Sequence, residues 1–244
     1  MIRRFAMEIE YDGTNYCGWQ RQANDPTIQA TLEDALLPLN RHQPVVVIGS
    51  GRTDSGVHST GQVAHVDLDN ELSAETVERA LNATIPDDIC VKNCREVEKD
   101  FHARFWAKRR TYVYWVLLKP DIFRRKYAWF PGFDYDRELL DRCAVEVLGE
   151  HDFTRLCLTS TKAETRICTI FDSRWETTKE SLTYQIVGNR FLHSMVRILV
   201  GTMMEIARGK YTVAEFKNLL DNPNGGVQVY TAPARGLFLQ GVQY

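Results

Sequence analysis

No apolar run in the sequence approaches the ~18 residues that a membrane-spanning helix needs, so a membrane protein is excluded on that ground. The opening, Met1-Ile2-Arg3-Arg4-Phe5, also lacks the apolar stretch of a signal peptide, because Glu8 and Glu10 follow at once. Cysteine is present but unpatterned. Cys17, Cys90, Cys94, Cys143, Cys157 and Cys168 include no Cys-x-x-Cys pair, which argues against a zinc site. With no export signal it argues against disulfides too, and the expectation is reduced thiols in a cytoplasm. Glycine and proline, 15 and 8 residues among 244, are too few for a low-complexity or fibrous chain. What is there is ordinary globular composition, 44% hydrophobic and 25% charged, in a chain long enough to bury a core without staples.

An excess of charge is missing as well. The net value of −2 gives no global sign of a nucleic-acid partner. The distribution says more, since arginine outnumbers lysine 21 to 9, a bias suited to planar, multi-donor contacts. Between Phe101 and Lys126 lie Arg104, Lys108, Arg109, Arg110, Lys119, Arg124, Arg125 and Lys126, with Asp121 as the only acid. Phe101, Phe105, Trp106, Tyr112, Tyr114 and Trp115 interleave the first part. Cations among stackable rings suit a nucleic-acid surface. They equally suit a basic strand edge that resists aggregation. On charge alone both readings stand.

Hydrophobic periodicity predicts strands at Phe5–Tyr11, Val45–Ile48, Gln62–Leu68, Ile89–Val97, Thr111–Leu118, Arg166–Thr177, Ser181–Val187 and Leu237–Val242. It predicts helices at Thr27–Leu37, Ser73–Thr84, Asp136–Leu148, Phe191–Ala207 and Val213–Leu220. Such alternation is the mark of an α/β or α+β chain. No linker separates the halves, and the expected boundary near Phe101 to Arg110 gives an N-terminal lobe of residues 1–105 and a C-terminal lobe of 106–244.

The densest motif follows the second predicted strand: Gly49-Ser50-Gly51-Arg52-Thr53-Asp54-Ser55-Gly56-Val57-His58. Its glycines allow sharp turns and close approach. It is not a P-loop, because no Lys-Ser/Thr follows the last glycine, and the dinucleotide fingerprint fails where Asp54 stands in place of glycine. A carboxylate beside an arginine remains, on a loop at a strand end, where catalytic groups often sit. A turn in which Asp54 bonds its own backbone is the plainer reading. A second feature bears on the choice. The helix around Phe191 to Ile206 is apolar almost all round, with Arg197 in its middle, so Arg197 either snorkels outward or meets a buried carboxylate. Asp54 would serve as that partner, and the pairing would favour its ionised form. A metal site drawn from Asp54, His58, His65, Asp67 and Asp69 is not expected. No ligand spacing is present, and His65, Asp67 and Asp69 read as a solvated strand face.

Five segments taken together resemble one known family. They are Tyr11-Asp12-Gly13-Thr14-x-Tyr16-x-Gly18-Trp19-Gln20-Arg21-Gln22, Gly51-Arg52-Thr53-Asp54-x-Gly56-Val57-His58 and Phe101-His102-Ala103-Arg104. Asn189-x-Phe191-x-His193-x-Met195-Val196-Arg197 and Thr231-Ala232-Pro233-Ala234-x-Gly236-Leu237 complete the set. In this order, across nearly the whole chain, they resemble the TruA family of tRNA pseudouridine synthases. Ser55 and Ser59 depart from the family's usual alanine, and the C-terminus is short.

The resemblance implies two similar RNP/ferredoxin-like α/β lobes whose antiparallel sheets join into one central sheet, with an active cleft between them. It implies a homodimer acting on tRNA, isomerising uridine to pseudouridine where the anticodon loop meets the 3′ side of its stem. Residue by residue, Asp54 takes the family's catalytic aspartate, Arg52 the basic residue beside it and Tyr112 the active-site tyrosine. Arg197 takes the place of the aspartate's salt-bridge partner, and Leu237 an apolar pocket position. Moving the glycosidic bond from N1 to C5 of one base involves no net redox change and no hydrolysis. No cofactor and no metal is therefore expected.

Overall fold

The computed structural model describes residues 1–161, 164–222 and 224–244. In chain order they form β1 (Ile2–Tyr11), α1 (Ile28–Leu36), β2 (Ile48–Gly49), β3 (His58–Asp69), α2 (Ala74–Asn82), β4 (Ile89–Val97) and β5 (Arg109–Leu117). Then follow α3 (Arg137–Glu146), β6 (Gly149–Asp152), β7 (Ile167–Thr177), β8 (Ser181–Gly188), α4 (Met195–Ala207), α5 (Val213–Asp221) and β9 (Leu237–Gln243). This is the expected α/β mixture. The chain folds as two compact units, residues 1–108 with 238–244, and residues 109–237.

In the first unit the strands run in the order β4-β1-β3-β9, with β2 paired to β3. β1 is antiparallel to both neighbours, placing Ile9 beside Gln62 and Val91. β9 joins β3 in parallel, Phe238 beside His58. Side-chain caps start both helices: Thr27 accepts from the Ala30 amide and Ser73 from the Thr76 amide. Each cap contributes about 1 kcal/mol. Ile28, Leu32 and Leu36 of α1 and Val77 and Leu81 of α2 bury against Phe5, Met7, Ile9, Ala64, Val66 and Leu68 of the sheet. The alternation of β1 and β3 is thus what fixes which face receives the helices.

Two expectations fail here for physical reasons. The strand foreseen at Val45–Ile48 survives only as Ile48–Gly49. The Val47 amide is taken by Glu33 Oε1 at 3.0 Å, so a helix side chain occupies the donor that a sheet partner would need. The face of β3 read as solvated is covered at His65, which is 2% exposed. Residues 101–103 pack over it, and the Ala103 amide donates to His65 Nδ1 at 3.1 Å. Asp67, on the same face, forms a bidentate pair with Arg4 at 2.7 Å.

The second unit is an antiparallel sheet in the order β5-β8-β7-β6. Tyr112 lies beside Ile186, Trp175 beside Tyr184 and His151 beside Cys168. α3, α4 and α5 pack on one another, α3 also on β7 and α5 on β6. A capping box between Thr212 and Glu215 begins α5. The apolar helix α4 is shorter than the sequence suggests. It starts at Met195 because Ser194 adopts a left-handed conformation, φ 57°, which cannot continue a right-handed helix backwards to Phe191. Arg197 therefore stands in the first turn, not in the middle. Every other residue of α4 is buried.

Candidate active site

The loop carrying Asp54 is fixed at its base by β3. Ser50 donates its amide to the Val63 carbonyl at 2.7 Å and its hydroxyl to Gln62 Oε1 at 2.6 Å. Gln62 Nε2 in turn donates to the Gly51 carbonyl at 2.8 Å. Beyond Gly51 the chain turns sharply: the Val57 amide donates to the Asp54 carbonyl at 3.1 Å, with Gly56 at φ 74°. A positive φ at the third position of such a turn favours glycine. The turn reading and the catalytic-loop reading of the motif are thus compatible, since Asp54 is the first residue of the turn. Asp54 is half-buried and Arg52 is exposed.

A second segment, Tyr11 to Trp19, clamps this loop from the other side. Tyr11 Oη lies 2.8 Å from Thr53 Oγ1, and the Trp19 amide donates to the Thr53 carbonyl at 3.1 Å. The Gly56 amide and the Ser55 hydroxyl both donate to the Tyr16 carbonyl at 3.2 Å. The Gly13 amide donates to Nδ1 of buried His58 at 3.1 Å, and the imidazole stacks on Phe238 at 4.6 Å. Glycine is required where these strands of chain touch. A Cβ on Gly13 would lie 2.0 Å from the Val57 carbonyl oxygen, and one on Gly18 2.5 Å from that of Thr53. The residues that position Asp54 were missed as positioning groups by sequence reasoning. The two glycines beside Tyr11 and Trp19 were the only local signal of the close approach.

The other three expected residues lie in the second unit. Tyr112 is 7% exposed on β5, its ring edge-on to Phe191 at 5.1 Å. Its neighbour Arg110 donates to the Asn189 carbonyl at 2.6 Å. Arg197 is half-buried, and its Nε donates to the Ala232 carbonyl at 2.9 Å while its own carbonyl accepts from the Ala232 amide at 3.0 Å. That reciprocal pair seats residues 230–232 along α4. Gly201 makes room for them, since a Cβ there would lie 2.4 Å from the Tyr230 carbonyl oxygen. The Tyr114 hydroxyl then donates to the Pro233 carbonyl at 2.7 Å, burial pushing its pKa up. Leu237 follows, buried, at the start of β9. Arg52 and Asp54 are thus brought together by one loop, and Arg197 and Leu237 are both set by the segment that straps α4.

Comparison with known proteins identifies the class as RNA-modifying. A family model described as tRNA pseudouridine synthase matches residues 7–106 and 143–244. A protein of Exiguobacterium sp. strain AT1b named tRNA pseudouridine synthase A is 41% identical over 243 residues, covering 100% of this chain and 98% of its own. Proteins of that name from Geobacillus kaustophilus and Bacillus subtilis are 40% and 38% identical, covering 100% and 99% of this chain and 95% and 99% of their own lengths. The chain belongs to the tRNA pseudouridine synthase family. Among the described residues no helix is long and apolar enough to cross a membrane.

Proposed function

We propose that this protein isomerises uridine to pseudouridine in the anticodon stem-loop of tRNA, acting as a cytoplasmic homodimer. The observation that carries the reading is the clamped Asp54 loop in a chain of this family: Thr53 is held from both its hydroxyl and its carbonyl, so the next residue is presented with little freedom. The reaction breaks the bond between uracil N1 and ribose C1′, forms the bond from C5 to C1′, and releases the C5 proton while N1 takes up a proton from water. Asp54 is the proposed nucleophile, at C6 of the base or at the sugar. Exposed Arg52 takes part in drawing the target base out of its stack, which chemistry on a paired base requires. Tyr112 and Leu237 are the proposed base-contacting walls that keep detached uracil in place, and Arg197 is the proposed partner of Asp54. The test is an unmodified tRNA transcript carrying tritium at uridine C5. Wild type should release label to water and Asp54→Asn should not. Turnover by Asp54→Asn near wild-type rates would refute the assignment. Sedimentation should give a dimer at working concentration, and a fully active monomer would refute that part.

A further inference from the structure

The structure sorts the aromatic residues of the basic stretch into two sets. Phe101, Tyr112 and Tyr114 are buried, whereas Trp115 on β5 is 40% exposed and, ahead of that strand, Phe105 is 75% and Trp106 46% exposed. The last two are not loose side chains on a loop. The amides of Arg104 and Phe105 both donate to His102 Nδ1 at 3.2 Å, which fixes the turn from 102 to 105. One step below, the Ala103 amide donates to His65 Nδ1, and the His65 and His102 rings meet at 4.8 Å. The Phe105 ring leans on His102 at 4.2 Å, and Trp106 meets the edge of Phe101 at 5.7 Å. A built stack of rings thus ends at solvent in two aromatic faces.

Cations flank the two rings on the chain that carries them, with exposed Asp100 on the far side of Phe101. Arg104 and Lys108 are exposed beside the rings, with the Arg104 guanidinium 5.9 Å from the Phe105 centroid. Asp67, the acid on the strand beneath, is already paired with Arg4. Aromatic faces held in place and flanked by cations suit one kind of occupant, an unpaired base and its phosphates. Every base has a face that stacks, and an ordered ring loses little freedom on binding.

We infer that Phe105 and Trp106 form a stacking platform for an unpaired base of the tRNA, with Arg104 and Lys108 beside its phosphates. The inference rests on the tRNA reading above.

The test measures affinity and turnover on one unmodified tRNA transcript, for wild type and for Phe105→Ala, Phe105→Tyr, Trp106→Ala and Trp106→Phe. Each alanine variant should weaken binding roughly 5- to 100-fold, the range of base–aromatic stacking. KM should rise by more than kcat falls, and the aromatic replacements should restore affinity to within about threefold. Trp106→Phe should also remove a part of the tryptophan fluorescence quenching that tRNA causes in wild type. Alanine variants that bind as wild type, or aromatic variants that fail to restore binding, overturn the platform. So does a loss of oligomeric state in the alanine variants, which would make the rings a contact between copies. Failure of the tRNA reading shows separately, as wild type that binds the transcript without releasing label.

Discussion

Tyr11 Oη and Thr53 Oγ1, 42 residues apart in sequence, form a buried hydrogen bond of 2.8 Å between the end of β1 and the loop of Asp54. Burial pushes the Tyr11 phenol well above its ordinary pKa, so it stays neutral and able to donate. β1 thus touches the candidate catalytic loop directly through this contact, and the chain that follows β1 adds the Trp19 amide on the Thr53 carbonyl.

Tyr11→Phe keeps the ring and removes only the hydroxyl. The expected stability loss is about 1–2 kcal/mol, the effect of leaving Thr53 Oγ1 short of a partner in a dry site. Because Thr53 adjoins Asp54, kcat should fall by more than KM rises. Thr53→Val should do the same, and the double variant should be no worse than the more severe single one. Chemical denaturation and tritium release measure both effects. Independent, fully additive losses would show that the two hydroxyls do not act together.

A pH effect follows from His65. Its pKa is lowered to about 4, first by burial and then by the nearby Arg4 and His102 charges. In the unfolded chain it returns to about 6.5. Between these values the unfolded state binds the proton and the folded state does not. This contribution to stability is therefore full above about pH 6.5 and is lost as pH falls toward 4. His65→Asn keeps an acceptor near the Nδ1 position for the Ala103 amide and removes the titration. Its denaturation midpoint should vary less between pH 7 and 5 than that of wild type. Equal pH dependence in the two proteins would place the titrating group elsewhere.

The element types were readable because each segment's own period declares them. β1 alternates, and α1 and α2 begin at Thr27 and Ser73 caps. What could not be read depends on groups distant in sequence. Glu33 takes the Val47 amide and cuts a strand to two residues, and the covering of His65 requires Phe101 and Ala103 to return over β3. β9 pairs with β3 across about 180 residues, and no local pattern carries such a pairing. For the site, the glycine loop and Asp54 were visible as a motif. The clamp by Tyr11 to Trp19 was not, because a glycine shows only that the backbone comes close to something, never to what.

Salt dependence should separate neighbouring cations. Arg124 is engaged within its own unit, its Nε donating to Asp121 at 2.6 Å and its Nη2 lying 3.1 Å from Glu180. Arg125 and Lys126 stand exposed on the same turn. If the turn meets RNA phosphate, Arg125→Gln and Lys126→Gln should each lower the slope of log affinity against log salt by about 1. Arg124→Gln should leave that slope unchanged. Filter binding of a tRNA transcript at four or five salt concentrations measures this. An altered slope in Arg124→Gln alone would reverse the assignment.

The proposed partnership of Asp54 and Arg197 is open to a double-mutant cycle. Asp54→Asn keeps the shape and removes the charge, so it should abolish turnover while tRNA affinity stays within a few-fold. Arg197→Met should also cut kcat sharply if the guanidinium supports that carboxylate. Its effect on stability has two sources that the cycle can separate. One is the Ala232 carbonyl, which loses the Nε donor at 2.9 Å, a loss of about 1–2 kcal/mol that no change at Asp54 can restore. The other is the carboxylate left without its cation, which is destabilising by less than the about 3–5 kcal/mol of a fully buried pair, since both residues are half-buried. Adding Asp54→Asn to Arg197→Met should therefore recover the second part and not the first. The double variant should be at least as stable as Arg197→Met alone, and still less stable than wild type. Strictly additive stability losses across the cycle would show that Arg197 acts only through Ala232 and the segment strapping α4.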